Sequence, residues 1–179
     1  NVIVAMLLSM LMIPASPGAM HEVRGNGEMF PLNGPTWSLF FEYIANIAYA
    51  LVLRRLGTRL LATFVAMMAV SYATFDIFNF SEMWSMNLGW TLAGCNFQGG
   101  LLRVGLCFPM GMLLQRIFKP WRIKGAFTLC SLLLVVLLAT PYVTPVANSI
   151  HWCNSIYEIL CVTVAFPLIV QMGASGVLK

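Results

Sequence analysis

The chain has 179 residues, 60% of them hydrophobic and only 9% charged, with a net charge of +4. Soluble globular domains carry about 25% charged residues, so a surface facing water on all sides cannot be built from this composition, and lipid is expected to be the solvent for much of it. The few basic residues form no nucleic-acid patch. There is no phosphate-binding or dinucleotide-binding glycine motif, and the five cysteines include no C-x-x-C pair, so no metal or redox site is indicated.

A membrane-spanning helix needs about 20 mostly apolar residues. Six apolar segments stand out, at 2–13, 35–53, 58–74, 101–118, 125–142 and 151–172, the first of them short. They predict an all-α fold, a polytopic transmembrane bundle. Strands are not expected, because these runs exceed the roughly 9–11 residues of a membrane β-strand. The 2–13 segment has no basic residues before it, so it does not read as a signal peptide. It reads as the end of a helix whose beginning is absent, and 173–179 stops without a natural close. Residues 1–179 are therefore expected to be an internal piece of one transmembrane domain.

Between the segments lie a Pro- and Gly-rich polar loop at 14–34, a tight basic turn at 54–57, a long polar loop at 75–100, a second basic turn at 119–124 and a short neutral loop at 143–150. Alternating the sides places Arg54, Arg55, Arg59, Arg116, Lys119, Arg122, Lys124 and Lys179 together, eight of the ten basic residues. Lys and Arg collect on the cytoplasmic side of a membrane, which predicts a multi-pass protein of the bacterial inner membrane with this end inside. Glu22, Glu28, Asp76 and Glu82 fall on the other side, with Arg24 clearly there and Arg103 at the border. Trp84, Trp90 and Trp152 suit anchoring at the outer interface, with sugar stacking as the less favoured role, and Trp121 suits the inner interface. His21 reads as a solvated loop residue. Cys95 and Cys153 both fall near the outer face, where an oxidising periplasm leaves a disulfide open to them.

Ionisable groups inside a membrane are costly and face the bundle interior. In the second segment Ser38, Glu42 and Asn46 fall at i, i+4 and i+8, on one helix face, with Tyr49 close to it. That stripe marks either interhelical hydrogen bonding or a wet functional cavity. In the fourth segment Arg103 either snorkels to the interface or pairs with a carboxylate, for which Glu42 is the partner at hand. Gly105 and Gly111 permit close helix approach, and Pro109 suggests a kink. In the last segment His151 and Glu158 share a face two turns apart, too far for direct contact but open to an acid–base role through a third group.

The run Pro35-Thr36-Trp37-Ser38-Leu39-Phe40-Phe41-Glu42 resembles the P-x-W-S-L-x-x-E signature of the acyltransferase 3 family, multi-helix bacterial membrane O-acyltransferases. Arg103, Phe108, Gly111, Leu113, Leu114 and Arg116 follow a second pattern of that family, R-x4-F-x2-G-x-L-L-x-R, in the expected order. The resemblance implies transfer of an acyl group, acetyl above all, from acyl-CoA (acetyl-CoA) to a hydroxyl of lipopolysaccharide, peptidoglycan or another saccharide. Taken with the polar stripe, it points to catalytic or supporting roles for Glu42, Ser38 and Arg103 and to substrate contacts from Trp37, Asn46 and Tyr49; His151, which rests on its own helix face and not on the resemblance, is a weaker candidate. Glu42 is expected to orient the acceptor or to pair with Arg103 rather than to act as the base. The chain departs from the family at Tyr43, where many relatives carry a second Glu. The family's catalytic Arg and His on its first helix do not occur here, so the base is expected outside these residues. A segment of a polytopic transporter or permease remains the alternative, since kinked helices and midplane carboxylates occur there too.

Overall fold

The computed structural model describes residues 2–16, 18, 25, 27–80, 85–141 and 151–177. His21, Glu22, Arg24, Glu82, Trp84, the 143–150 connection and Lys179 lie outside the described residues, as do the side chains of His151 and Trp152.

The fold is mostly helical. Helix α1 is Val2–Met10, α2 Thr36–Leu51, α3 Thr58–Ile77, α4 Gly94–Ile117 and α5 Ala126–Leu138. The last helical stretch runs through α6 (His151–Leu160), a π-helical turn (Cys161–Ala165) and α7 (Phe166–Ala174). Pro167 explains that turn. Its ring would collide with the carbonyl four residues back, and widening the preceding turn relieves the clash without ending the helix.

Three helices are long and apolar enough to cross a membrane: Thr58–Ile77, Gly94–Ile117 and Cys153–Ala174. At 9, 16 and 13 residues, α1, α2 and α5 fall short of the roughly 20 needed to span. No more than 28% of any long span is buried within the chain. Val70, Val135 and Leu138 are among the many large apolar side chains turned outward. So extensive an apolar exterior belongs to a membrane protein.

Helix α4 begins at Gly94, well before the expected 101, and α3 continues to Ile77, so the 75–100 loop shrinks from both sides. The cause is a close approach that glycine alone allows. A β-carbon on Gly99 would lie 2.7 Å from Leu88 Cβ, and one on Gly100 would lie 2.8 Å from Gly89 Cα. Packing of the 85–91 segment onto these glycines outweighs their poor helix propensity, about 1 kcal/mol each. Gly105 meets only the flexible end of Met68 of α3, where a β-carbon would lie 2.7 Å from Cε, and Gly111 has nothing within 4 Å and is not a packing glycine. Pro109 is buried inside α4.

Two short pairings appear that the apolar periodicity did not suggest. Strand β1 (Ile123–Lys124) runs parallel to β2 (Gly176–Val177), and Glu28 bridges Thr91. Both lie outside the helices, where backbone groups still need partners. The first ties the end of the 119–124 basic turn to the segment that follows α7. At the same end Arg116 Nη1 donates to Leu56 O at 2.6 Å and Gln171 Nε2 to Lys119 O at 2.9 Å. Arg54, Arg55, Arg59, Arg116, Lys119, Arg122 and Lys124 thus share one end of the molecule. The two polar loops meet at the other, where Met29 N donates to Trp90 O at 2.9 Å. All five cysteines are free thiols, so Cys95 and Cys153 are not bridged.

Two apolar clusters sit on either side of α4. One joins Val65, Tyr72 and Phe75 of α3 to Met86, Leu88 and Leu106. The other joins Met29 and Phe30 to Phe41 of α2. Gly100 lies between Phe41 and Gly89, so Gly100→Ala should destabilise the fold by about 1–3 kcal/mol, the usual cost of overpacking. Gly111→Ala should be neutral or stabilising, because the new methyl meets nothing and helix propensity rises. Thermal melts of the two variants in the same detergent check this; equal losses would contradict the packing described.

Candidate functional site

The polar stripe of α2 faces α4. Ser38, Glu42 and Asn46, with Trp37 and Phe41, line one wall of a groove of about 500 Å³, and Gly100, Arg103, Val104, Cys107 and Phe108 line the other. That volume lies within the range of about 300–1,000 Å³ usual for small-molecule sites. The expected face is therefore formed, and it meets the helix that carries Arg103.

Two of the stripe residues turn partly inward on their own helix. Ser38 Oγ donates to Pro35 O at 2.9 Å, and Asn46 Nδ2 to Glu42 O at 2.9 Å. Glu42 is exposed to the groove. Among the described residues no ion pair joins it to Arg103, so the pairing expected from sequence is not made.

Arg103 has other partners. Its Nη1 donates to Leu88 O at 3.3 Å, and its guanidinium lies 5.5 Å from the centre of the Trp37 ring, a cation–π contact. It is half-buried, held by a carbonyl and an aromatic face, and neither snorkels freely nor pairs with Glu42. Its remaining N–H groups are available to a ligand in the groove.

Tyr49 stands apart from this set. It packs edge-on against Phe108 at 6.2 Å and lines a neighbouring cavity of about 560 Å³ with Arg54, Gln115 and Arg116. Cys107 and Phe108 line both spaces, so the groove continues toward the basic end. His151 opens α6, and its side chain lies outside the described residues.

Sequence reasoning left Glu158 without its real partners. It accepts from Ser85 Oγ at 3.0 Å through Oε1 and from Met86 N at 2.9 Å through Oε2. It faces Arg103, Tyr72 and Tyr157 across a further cavity of about 270 Å³. The only signal in the sequence was a carboxylate in an apolar helix, and nothing in the 75–100 stretch marked Ser85 and Met86 as its partners.

A second carboxyl also went unread. Asp76, placed in an outer loop by sequence, ends α3 and is 1% exposed. Ser155 Oγ, fully buried on α6, lies 3.0 Å from its Oδ1, and Oδ2 has no partner among the described residues. This contact fastens α3 to α6.

Comparison of the chain with models of protein families, with curated proteins and with solved structures finds no match.

Removing the Ser155 hydroxyl would strip a buried carboxyl of its donor, so Ser155→Ala should lower stability by about 1–3 kcal/mol. Replacing both partners, with Asp76→Leu added, should recover part of that loss, because no polar group is then left unmet. Thermal melting of the single and double variants measures both, and a double variant worse than the sum of the singles would contradict the assignment.

Proposed function

We propose that this chain forms part of a membrane O-acyltransferase that moves an acyl group, acetyl above all, from acyl-CoA to a saccharide hydroxyl. One observation carries the reading. The two stretches that resemble the acyltransferase 3 family lie far apart in sequence, yet Trp37, Ser38 and Glu42 of the first face Arg103 and Phe108 of the second across a single groove. A packing role for either stretch would not require their polar members to share one cavity.

The chemistry suits the groove. The acceptor oxygen attacks the thioester carbonyl carbon, the C–S bond breaks, and the hydroxyl proton passes through a general base to the departing thiolate. An exposed, unpaired Glu42 carboxylate can accept the acceptor hydroxyl's hydrogen bond and fix its direction. Arg103, already positioned by Leu88 and Trp37, has N–H donors to meet the charge that develops on the carbonyl oxygen. The donor would reach the groove from the basic end, through the cavity lined by Arg54 and Arg116, with CoA phosphates near Arg54. Arg116 contributes less freely, since it holds Leu56 O. The acceptor, a lipopolysaccharide, peptidoglycan or other glycan, would arrive from the end where the polar loops meet.

This arrangement requires a multi-pass protein of the bacterial inner membrane with the basic end inside. Single cysteines at Gly57 and Asn33, in a background free of the native thiols, should label from the inside and the outside respectively. Labelling of Gly57 from outside intact cells would reverse the orientation.

Glu42→Gln keeps the shape and removes the charge. In the protein expressed from its complete coding sequence it should cut acyl transfer from acetyl-CoA by about 10²-fold or more, the lower end of what a positioned acid–base group contributes. Ser38→Ala should cost less, since Ser38 bonds its own helix. Undiminished transfer by Glu42→Gln would refute this assignment. Uptake of a substrate without any acyl transfer by the unaltered protein would favour a permease.

A further inference from the structure

We propose that Glu158 is a positioning residue for Arg103, acting through the 85–91 segment as a strap. The two side chains belong to different helices, and the link between them can be followed atom by atom. Glu158 Oε1 accepts from Ser85 Oγ at 3.0 Å and Oε2 from Met86 N at 2.9 Å. Leu88 N donates to Met86 O at 2.8 Å, which turns the chain tightly at that point. Leu88 O then accepts from Arg103 Nη1 at 3.3 Å.

The far end of the strap is fastened independently. Asn96 Oδ1 accepts from Gly89 N at 2.8 Å and from Thr91 N at 3.0 Å. Met86 and Leu88 are almost fully buried, and Gly89 lies against Gly100. The Leu88 carbonyl therefore sits between two anchors, one on α4 and one on α6. With the α6 anchor lost, that carbonyl is held from one side only. The Arg103 guanidinium then loses the acceptor that sets its place over Trp37 and its direction into the groove. Glu158 does not line the groove that holds Glu42; it meets Arg103, which does, through the strap and across the cavity that both side chains line.

The test is a double-mutant cycle with two readouts. The kinetic readout rests on the proposed acyl transfer; the spectroscopic one does not. Glu158→Ala, Arg103→Met and their combination are compared in the complete protein at matched membrane insertion and melting temperature. Glu158→Gln serves as a milder variant that keeps one acceptor for the strap. Trp37 fluorescence is obtained as the difference between each protein and its Trp37→Phe counterpart. Glu158→Ala should move the Trp37 emission to longer wavelength as the guanidinium leaves the ring. It should also lower acyl transfer by about 10- to 10²-fold, the cost of a misplaced catalytic group. In the Arg103→Met background, Glu158→Ala should add nothing to either change, because groups that act in series are not additive. Glu158→Gln should fall between Glu158→Ala and the unaltered protein. Equal and additive effects with and without Arg103 would overturn the proposal. If the unaltered protein transfers no acyl group, the functional reading fails, and the fluorescence cycle still decides whether Glu158 positions Arg103.

Discussion

Arg103 carries a permanent charge on a helix otherwise suited to lipid, and such a group must find its partners inside the protein. Much of the polar end follows from that requirement. The partner it finds is the Leu88 carbonyl, which can reach it only if the 85–91 segment lies directly on α4. That approach needs Gly99 and Gly100, since a single methyl at either position would run into Leu88 or Gly89. A segment pressed so deeply leaves its own amides to be satisfied, and Asn96 and Glu158 supply the acceptors. Charge, glycines, carboxylate and amide form one connected set, and the aromatic face of Trp37 closes it from α2.

The same set gives α4 two different sides. Toward α2 it presents a groove with an unpaired carboxylate in it. Toward α3 and α6 it presents a packed cluster with Tyr72, Leu88 and Leu106. Polar groups on the packed side are bound to one another, as Ser155 is to Asp76, or to backbone, as Glu158 is to Met86. On the groove side Glu42 is left for a ligand or water. Glu42 is exposed rather than buried, so water can meet its carboxylate at no cost in pairing, whereas the packed side leaves Asp76 Oδ2 without a partner among the described residues.

Lipid exposure explains why the rest of the molecule is so plain. Many large apolar side chains of the spans face outward, and they need no specific neighbour. Specificity is concentrated at the ends. At one, Arg116 with Leu56 and Gln171 with Lys119 fasten the basic turns. At the other, the Glu28–Thr91 bridge joins the two polar loops.

Helical class, the membrane setting and the stripe of Ser38, Glu42 and Asn46 were all legible in the sequence, because each depends on local composition or on a period of 3.6 residues. The grouping of the basic turns was legible too, from alternation alone. The length of α4 was not, since Asn96, Gln98 and two glycines read locally as loop, and only their contact with Leu88 and Gly89 makes a helix there worth its cost. The number of spans was not decided by sequence either: of six apolar segments, three form helices long enough to cross a membrane, because an apolar run does not say where its hydrogen-bonded helix stops. The partners of charged side chains were the least legible of all. Arg103 with Glu42 was the pair that sequence suggested, whereas the structure gives Arg103 to a carbonyl and a tryptophan, and gives Glu158 to a backbone amide 72 residues away. Periodicity orders residues around one helix; which atom satisfies a buried charge is a question of three-dimensional reach, and that only the tertiary structure decided.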